Sequence, residues 1–307
     1  MHDMKKTILV LATICISVVG WGQQLPQYSQ FFLNKTLINP GATGTEDYWE
    51  AQATNRLQWV GITDAPRTHV LSANGPISDY KMGLGGKVFV DVVGPTRRTG
   101  FSFSYSYKLK LSETLKLGMG LSFGGLQYTT DGSQILLKDP NDVALSGQLQ
   151  SIFVPDAGVG FHLYSDDFYV GISMPQIIGN KLQFFDHYRN TEAALERHMF
   201  AYAGYKFKVT DDIIVEPAVL GKWVDPAPIA FEGNLRVIYQ DFVWVGASYR
   251  MNDAVVAMLG VNVNESIVFA YSYDMATSDI KTATSGSHEL MIGIRFRKPS
   301  NIQRAAK

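Results

Sequence analysis

The chain is short of charge, of cysteine and of long apolar runs. Asp, Glu, Lys and Arg make up 18% of its 307 residues, below the ~25% of an average soluble domain. A formal net charge of -1 gives no electrostatic reason to bind nucleic acid. The single cysteine, Cys15, lies in the apolar N-terminal stretch and lacks the small residues that precede a lipoprotein cysteine. Once that stretch is removed, disulfides and a lipid anchor are both excluded. Beyond residue 22 no apolar run approaches the ~20 residues of a transmembrane helix. A membrane location would therefore require a closed β-barrel, because lipid leaves no partner for free backbone groups.

Residues 1–22 have the form of an export signal. Lys5 and Lys6 supply the positive start, Thr7 to Val19 the apolar stretch, and Gly20-Trp21-Gly22 a small-x-small cleavage site. The mature chain then starts at Gln23.

Period-two alternation dominates the mature chain. Phe101, Phe103, Tyr105, Tyr107, Leu109 and Leu111 share one face, and Ser102, Ser104, Ser106, Lys108 and Lys110 the other. Leu115 to Phe123, Val255 to Val263, Ile267 to Tyr273 and Leu290 to Phe296 repeat the pattern. Each is a strand with one apolar and one polar face. A soluble sandwich or soluble barrel produces the same alternation with the apolar face inward. Strand length, loop asymmetry and the export signal favour a membrane barrel, with the apolar face on lipid and the small or polar face on the lumen.

The fold expected is all-β: a transmembrane antiparallel up-and-down barrel of about fourteen strands. These lie at 48–58, 67–75, 81–92, 97–111, 114–128, 152–164, 168–174, 196–209, 213–224, 229–240, 242–251, 254–263, 266–275 and 286–297. A short polar turn with an acidic residue precedes every other strand, as at Ser78-Asp79, Ser112-Glu113 and Asp211-Asp212. Longer connections near 129–151, 175–195 and 276–285 fall at the opposite end. Outer-membrane barrels have this asymmetry, with the short turns in the periplasm. Pro217 interrupts the ninth strand, and a bulge is expected there.

The domain plan is a signal peptide at 1–22, an N-terminal periplasmic segment or plug at 23–47, the barrel at 48–298 and a short basic periplasmic tail at 299–307. Fourteen strands enclose a lumen too wide for one layer of side chains to fill. Pro26, Asn39-Pro40-Gly41 and Gly44 make residues 23–48 irregular, so this segment is expected to plug or brace the periplasmic mouth. Glu216, Lys222, Glu232, Arg236, Arg250, Glu289 and Arg295 have lumen-facing parity, which suits a bracing ionic network.

Several blocks are similar to those of the PorP/SprF family. Gln27-Tyr28-Ser29-Gln30-Phe31-Phe32 and Leu37-Ile38-Asn39-Pro40-Gly41-Ala42 resemble the opening of its mature proteins. Arg56-Leu57-Gln58-Trp59-Val60-Gly61 with Ala65-Pro66-Arg67-Thr68, and Gly94 to Gly100, resemble the next blocks. Ser248-Tyr249-Arg250, Tyr271-Ser272-Tyr273-Asp274 and Gly286-Ser287-His288-Glu289 resemble its C-terminal half. The ordered set runs from about Gln23 to Phe296. Phe31 to Lys35 departs by being less aromatic than in many members.

The resemblance implies an outer-membrane component of the type IX secretion and gliding machinery of Bacteroidetes. Its implied partners are outer-membrane lipids, a secreted surface protein with a C-terminal sorting domain, and periplasmic secretion lipoproteins. Candidate contacts are Tyr28, Phe31, Asn39 and Pro40 in the N-terminal segment, with Arg56, Trp59, Arg67, Arg97 and Arg98 at the rim. Of Arg97 and Arg98, one is expected to point inward and the other outward.

No cofactor or metal is implied. His69, His162, His187, His198 and His288 form no pair at metal-ligand spacing, and no Gly-x-Ser-x-Gly elbow occurs. Asp139-Pro140-Asn141-Asp142 has the composition of a turn and lacks the further ligands of a calcium loop. The chain is accordingly expected not to be an enzyme. The alternative is a diffusion channel or ligand transporter, distinguished by whether the lumen is open.

Overall fold

The computed structural model describes residues 25–135, 149–179, 181–182, 193–224, 227–263 and 266–297. The proposed signal at 1–22, the tail at 299–307, His187 and the Asp139–Asp142 turn lie outside them.

Fourteen antiparallel strands close into a barrel. They are β1 Tyr48–Leu57, β2 Arg67–Ile77, β3 Met82–Val93, β4 Thr96–Lys110, β5 Lys116–Asp131, β6 Leu149–Tyr164, β7 Phe168–Met174, β8 His198–Tyr205, β9 Ile213–Val224, β10 Ala230–Tyr239, β11 Val243–Arg250, β12 Ala254–Val263, β13 Ile267–Ala276 and β14 Ser287–Arg297. Each strand pairs with its neighbours in sequence, and β14 returns to β1 from Tyr48↔Arg297 to Leu57↔His288. Among the described residues the barrel sheet has no open edge, which is the condition for lying in lipid.

The period-two pattern settles the faces. Phe103 and Phe123 are 69% and 64% exposed on the outer wall, whereas Arg56 and Glu289 are each 1% exposed inside it. A soluble barrel would show the reverse. Such an extent of outward apolar surface is stable only against lipid.

Three local differences from the alternation pattern have physical causes. The β5–β6 hairpin runs further than expected, with Thr129↔Ser151, Thr130↔Gln150 and Asp131↔Leu149 still paired. Polar Thr and Ser there hid a ladder that backbone hydrogen bonds sustain. The connection from β7 to β8 contains a short ladder of its own, Lys181–Leu182 with Ala193–Ala194. At Pro217 there is no bulge. Glu216↔Arg236, Pro217↔Leu235 and Ala218↔Asn234 keep continuous register with β10. The β8 side breaks instead: it ends at Tyr205 and resumes as Phe207–Lys208, in the same register with β9. Proline has no N–H to give, so one rung is missing without a slip.

Strand β1 starts, and β14 finishes, at the end holding the connections 78–81, 111–115, 165–167, 209–212, 240–242 and 264–266. This is termed the turn end. The opposite, loop end holds the connections that follow β1, β3, β5, β7, β9, β11 and β13.

Candidate functional site

The lumen is filled by the chain's own N-terminal segment. Two short 3-10 turns, Lys35–Leu37 and Pro40–Ala42, shape it, and Phe31, Phe32, Ile38, Asn39, Pro40 and Ala42 are buried. The segment passes from contacts at the loop end, around Ser29, to contacts at the turn end, around Gly44, before entering β1. It therefore lies along the lumen, beyond the mouth where a periplasmic segment was expected. A lumen of small and polar residues was also expected, but part of it is apolar. Phe31 and Phe32 pack with Trp244, Val256, Met258, Val268, Ala270 and Met291. Phe32 meets the Trp244 ring edge-on at 5.8 Å, and the Arg236 guanidinium lies 4.9 Å over Phe32.

At the loop end the segment is fastened by charge. Glu289 accepts the backbone N–H groups of both Ser29, at 2.8 Å, and Gln30, at 3.1 Å. Arg56 donates to Ser29 Oγ at 2.9 Å, Glu289 at 3.1 Å and Asp274 at 2.8 Å. Arg250 donates to Glu232 at 3.0 Å, Asp253 at 3.0 Å, Asp274 at 3.3 Å and Ser29 Oγ at 3.1 Å. The Ser29 hydroxyl in turn donates to Asp274 at 2.8 Å. Charges this deep are tolerated because each is paired and hydrogen-bonded. Of the expected bracing network, Glu232, Arg250 and Glu289 are joined here, and Glu216–Arg236 and Glu50–Arg295 form separate pairs toward the turn end, whereas Lys222 joins none of them.

Toward the turn end the segment is fitted by shape. A Cβ added at Gly120 would lie 2.2 Å from the Pro40 carbonyl oxygen, and one at Gly118 2.2 Å from that of Gly41. Only glycine permits this approach of two backbones. Asn39, with no exposure, locks the fit. Its Nδ2 donates to the Phe161 carbonyl at 2.9 Å and the Tyr202 hydroxyl at 3.0 Å, while its Oδ1 accepts from Gly41 N–H at 2.7 Å. Ser106 donates to the Thr43 carbonyl at 2.6 Å, and Lys108 to that of Gly44.

Two mouths remain. At the turn end a polar cleft of about 420 Å³ is lined by Lys35, Glu46, Lys206, Glu216, Asp241 and Arg295, among others. At the loop end the β1–β2 and β13–β14 connections are stitched together. Val60 donates to the Gly286 carbonyl at 2.8 Å, Ser285 N–H to that of Val60 at 2.8 Å, and Trp59 N–H to Ser287 Oγ at 3.0 Å. At the loop end of β8 and β9, Lys222 Nζ and His198 Nε2 are buried without a hydrogen-bond partner.

The candidate residues fall into three groups. Phe31, Asn39 and Pro40 are internal fasteners with little surface to offer a partner, and the half-buried Tyr28 precedes them. Arg56, expected at the rim, is also internal, because its parity on β1 matches inward Gln52 and Thr54. Trp59, with a positive φ of 47°, is half-buried in the stitched loops. Arg67 and Arg97 are exposed at the loop end, whereas Arg98 turns inward onto Asp91. Glycines 118, 120 and 160, Asp274, Tyr202 and Ser106 were not singled out from sequence. For the glycines and Ser106 the trace was small residues recurring at inward positions of β4 to β6; Asp274 stood in the Tyr271–Asp274 block, and Tyr202 left no signal.

A closed, plugged barrel with an apolar belt is an outer-membrane β-barrel protein. Solved structures agree on the fold alone. The Ralstonia pickettii toluene transporter TbuX superposes with a TM-score of 0.52 at 10% identity, covering 85% of this chain and 92% of that one. A Pseudomonas aeruginosa FadL homologue gives 0.51 at 11% identity, over 90% and 95%. No curated protein matches the sequence. The family model for the type IX secretion system membrane protein PorP/SprF matches residues 21–294. The chain belongs to that family, as the blocks from Gln27 to Glu289 indicated.

Proposed function

We propose that this barrel is a non-catalytic docking component of the type IX secretion and gliding machinery. Its loop end holds a secreted surface protein, and its turn end, facing the periplasm, meets periplasmic secretion lipoproteins. The supporting observation is the filled lumen. A segment fixed by buried ion pairs at one end and by glycine contacts at the other makes the barrel a rigid body rather than an open conduit. Exposed Arg67 and Arg97 offer cations at the loop end. Arginine suits carboxylate recognition there. The polar cleft between Lys35, Glu46 and Arg295 offers both signs of charge at the turn end.

The second reading is a channel or transporter, which rests on the fold shared with a toluene transporter and a FadL homologue. It requires the N-terminal segment to move. A mild-detergent pull-down of the tagged full chain from native outer membranes separates the two. Recovery of a large protein with a C-terminal sorting domain supports cargo docking, and recovery of periplasmic lipoproteins supports the machinery contact. A barrel that reproducibly emerges alone counts against docking and advances the transporter.

A further inference from the structure

Two hollows on the outer wall share the strands β14, β1 and β2. The first lies at the turn-end rim, about 670 Å³ in volume, walled by Trp49, Tyr80 and Phe296 with Asp47 and Asp79 beside them. Tyr48 borders it too, but its ring is taken by the Arg295 guanidinium, 5.1 Å away, on the lumen side. The second, about 580 Å³, lies deeper in the membrane belt. Its floor includes Ala51, Ala53, Ala73 and Gly86, and its sides include Phe103 and Ile294. Outward residues on a strand recur every ~6.6 Å, so Trp49, Ala51 and Ala53 lead directly from one hollow into the other. Phe296, Ile294 and Ile292 do the same along β14.

The rim hollow is preformed. Trp49 Nε1 donates to the Pro76 carbonyl at 3.2 Å, and its ring covers Gly75, where a Cβ would meet it at 2.3 Å. Ser78, Asp79 and Tyr80 all hold positive φ, at 49°, 52° and 67°. A run of three left-handed non-glycine residues is costly, and it presents Asp79 and Tyr80 in the turn beside the indole. Among the described residues, neither Asp47 nor Asp79 has an ion-pair partner.

We infer that the two hollows together form a site for one phospholipid with an ammonium headgroup. The headgroup nitrogen sits among the rings and the two carboxylates, and an acyl chain fills the alanine-floored groove. Aromatic faces attract an ammonium through their quadrupole, and the rim lies at the depth of membrane headgroups. Carboxylates at the same rim repel an anionic headgroup, so the site discriminates by charge. A groove floored by alanine beside bulky Phe103 and Ile294 accepts a chain that a uniformly bulky wall would not hold.

The full-length barrel is placed in nanodiscs of equimolar phosphatidylethanolamine and phosphatidylglycerol with identical acyl chains, then released into detergent for native mass spectrometry. Phosphatidylethanolamine should be retained over phosphatidylglycerol by about tenfold, the scale of one partly desolvated cation–aromatic contact. Asp47→Asn with Asp79→Asn should abolish that preference. Ala51→Leu with Ala73→Leu should lower retention of both lipids while keeping the preference. Heat-modifiable gel migration confirms that each variant is folded. Equal retention of the two lipids by the unaltered barrel overturns the site. So does a folded Asp47/Asp79 variant that keeps the preference, or a cationic polypeptide in place of lipid.

Discussion

The two sides of the lumen hold the same segment by opposite means. The β3–β6 side is lined by Gly118, Gly120, Gly160, Ser106 and Ser122, and it meets the segment's backbone. The β10–β14 side and β1 carry Trp244, Met258, Arg250, Asp274, Glu289 and Arg56, and they meet its side chains and its first N–H groups. Close backbone approach gives fit without ion pairs to the segment, Lys87 and Lys108 of that side donating only to its Leu37 and Gly44 carbonyls. Buried ion pairs give fixed partners, at a desolvation cost that only full pairing offsets. A segment with little regular structure of its own is positioned because the two restraints act at different ends.

The largest effect should come from removing both restraints at once. Deleting residues 25–45 should leave a barrel that still migrates as folded before heating but conducts in planar bilayers, where the full chain does not. A folded, non-conducting deletion would mean that the loops close the lumen by themselves. Next, Arg56→Ala strands Glu289, leaves Asp274 with Arg250 as its one cation, and should cost about 3–5 kcal/mol, read as a lower urea midpoint in lipid vesicles. Adding Glu289→Gln should recover part of that loss.

On the opposite side, Gly120→Val should cost about 1–3 kcal/mol, the usual range for overpacking. In the deletion background it should cost close to nothing. A similar cost in both backgrounds would place the strain in the barrel wall rather than at the segment. Asn39→Ala removes an internal lock and should cost about 1–3 kcal/mol, with faster proteolysis inside the segment. Arg97→Ala, outward and exposed, should stay within about 0.5 kcal/mol. If docking uses that rim, its effect appears only in recovery of the secreted partner.

Much of the barrel was legible in the sequence, because alternation is a property of each strand alone. Phe101 to Leu111 needs no knowledge of its neighbours to be read as a lipid-facing strand. The inward parity of Glu216, Arg236 and Glu289 followed from the same rule. The site was far less legible. Residues 25–45 have no period, and their conformation is set by surfaces contributed by distant strands. Arg56 looked like a rim residue because its partners, Asp274 and Glu289, lie more than two hundred positions away. In β12, Val256 and Met258 are as apolar as Val255 and Leu259, so alternation does not reveal that the inner face seats Phe31 and Phe32. The glycines of β5 and β6 resembled ordinary lumen-lining residues, because a close approach shows only when both backbones are in place.

The joint between β1 and β14 has a consequence for the order of assembly. It is the one joint that pairs the first strand with the last, so the cylinder cannot form until the chain is nearly complete. Glu289 on β14, Arg56 on β1 and the N–H groups of Ser29 and Gln30 meet beside that joint. The N-terminal segment thus waits for the last strand. Contacts of such long sequence separation form slowly. The N-terminal segment then acts as a clasp that engages only when the cylinder shuts, so a barrel that closes without it should reopen more readily.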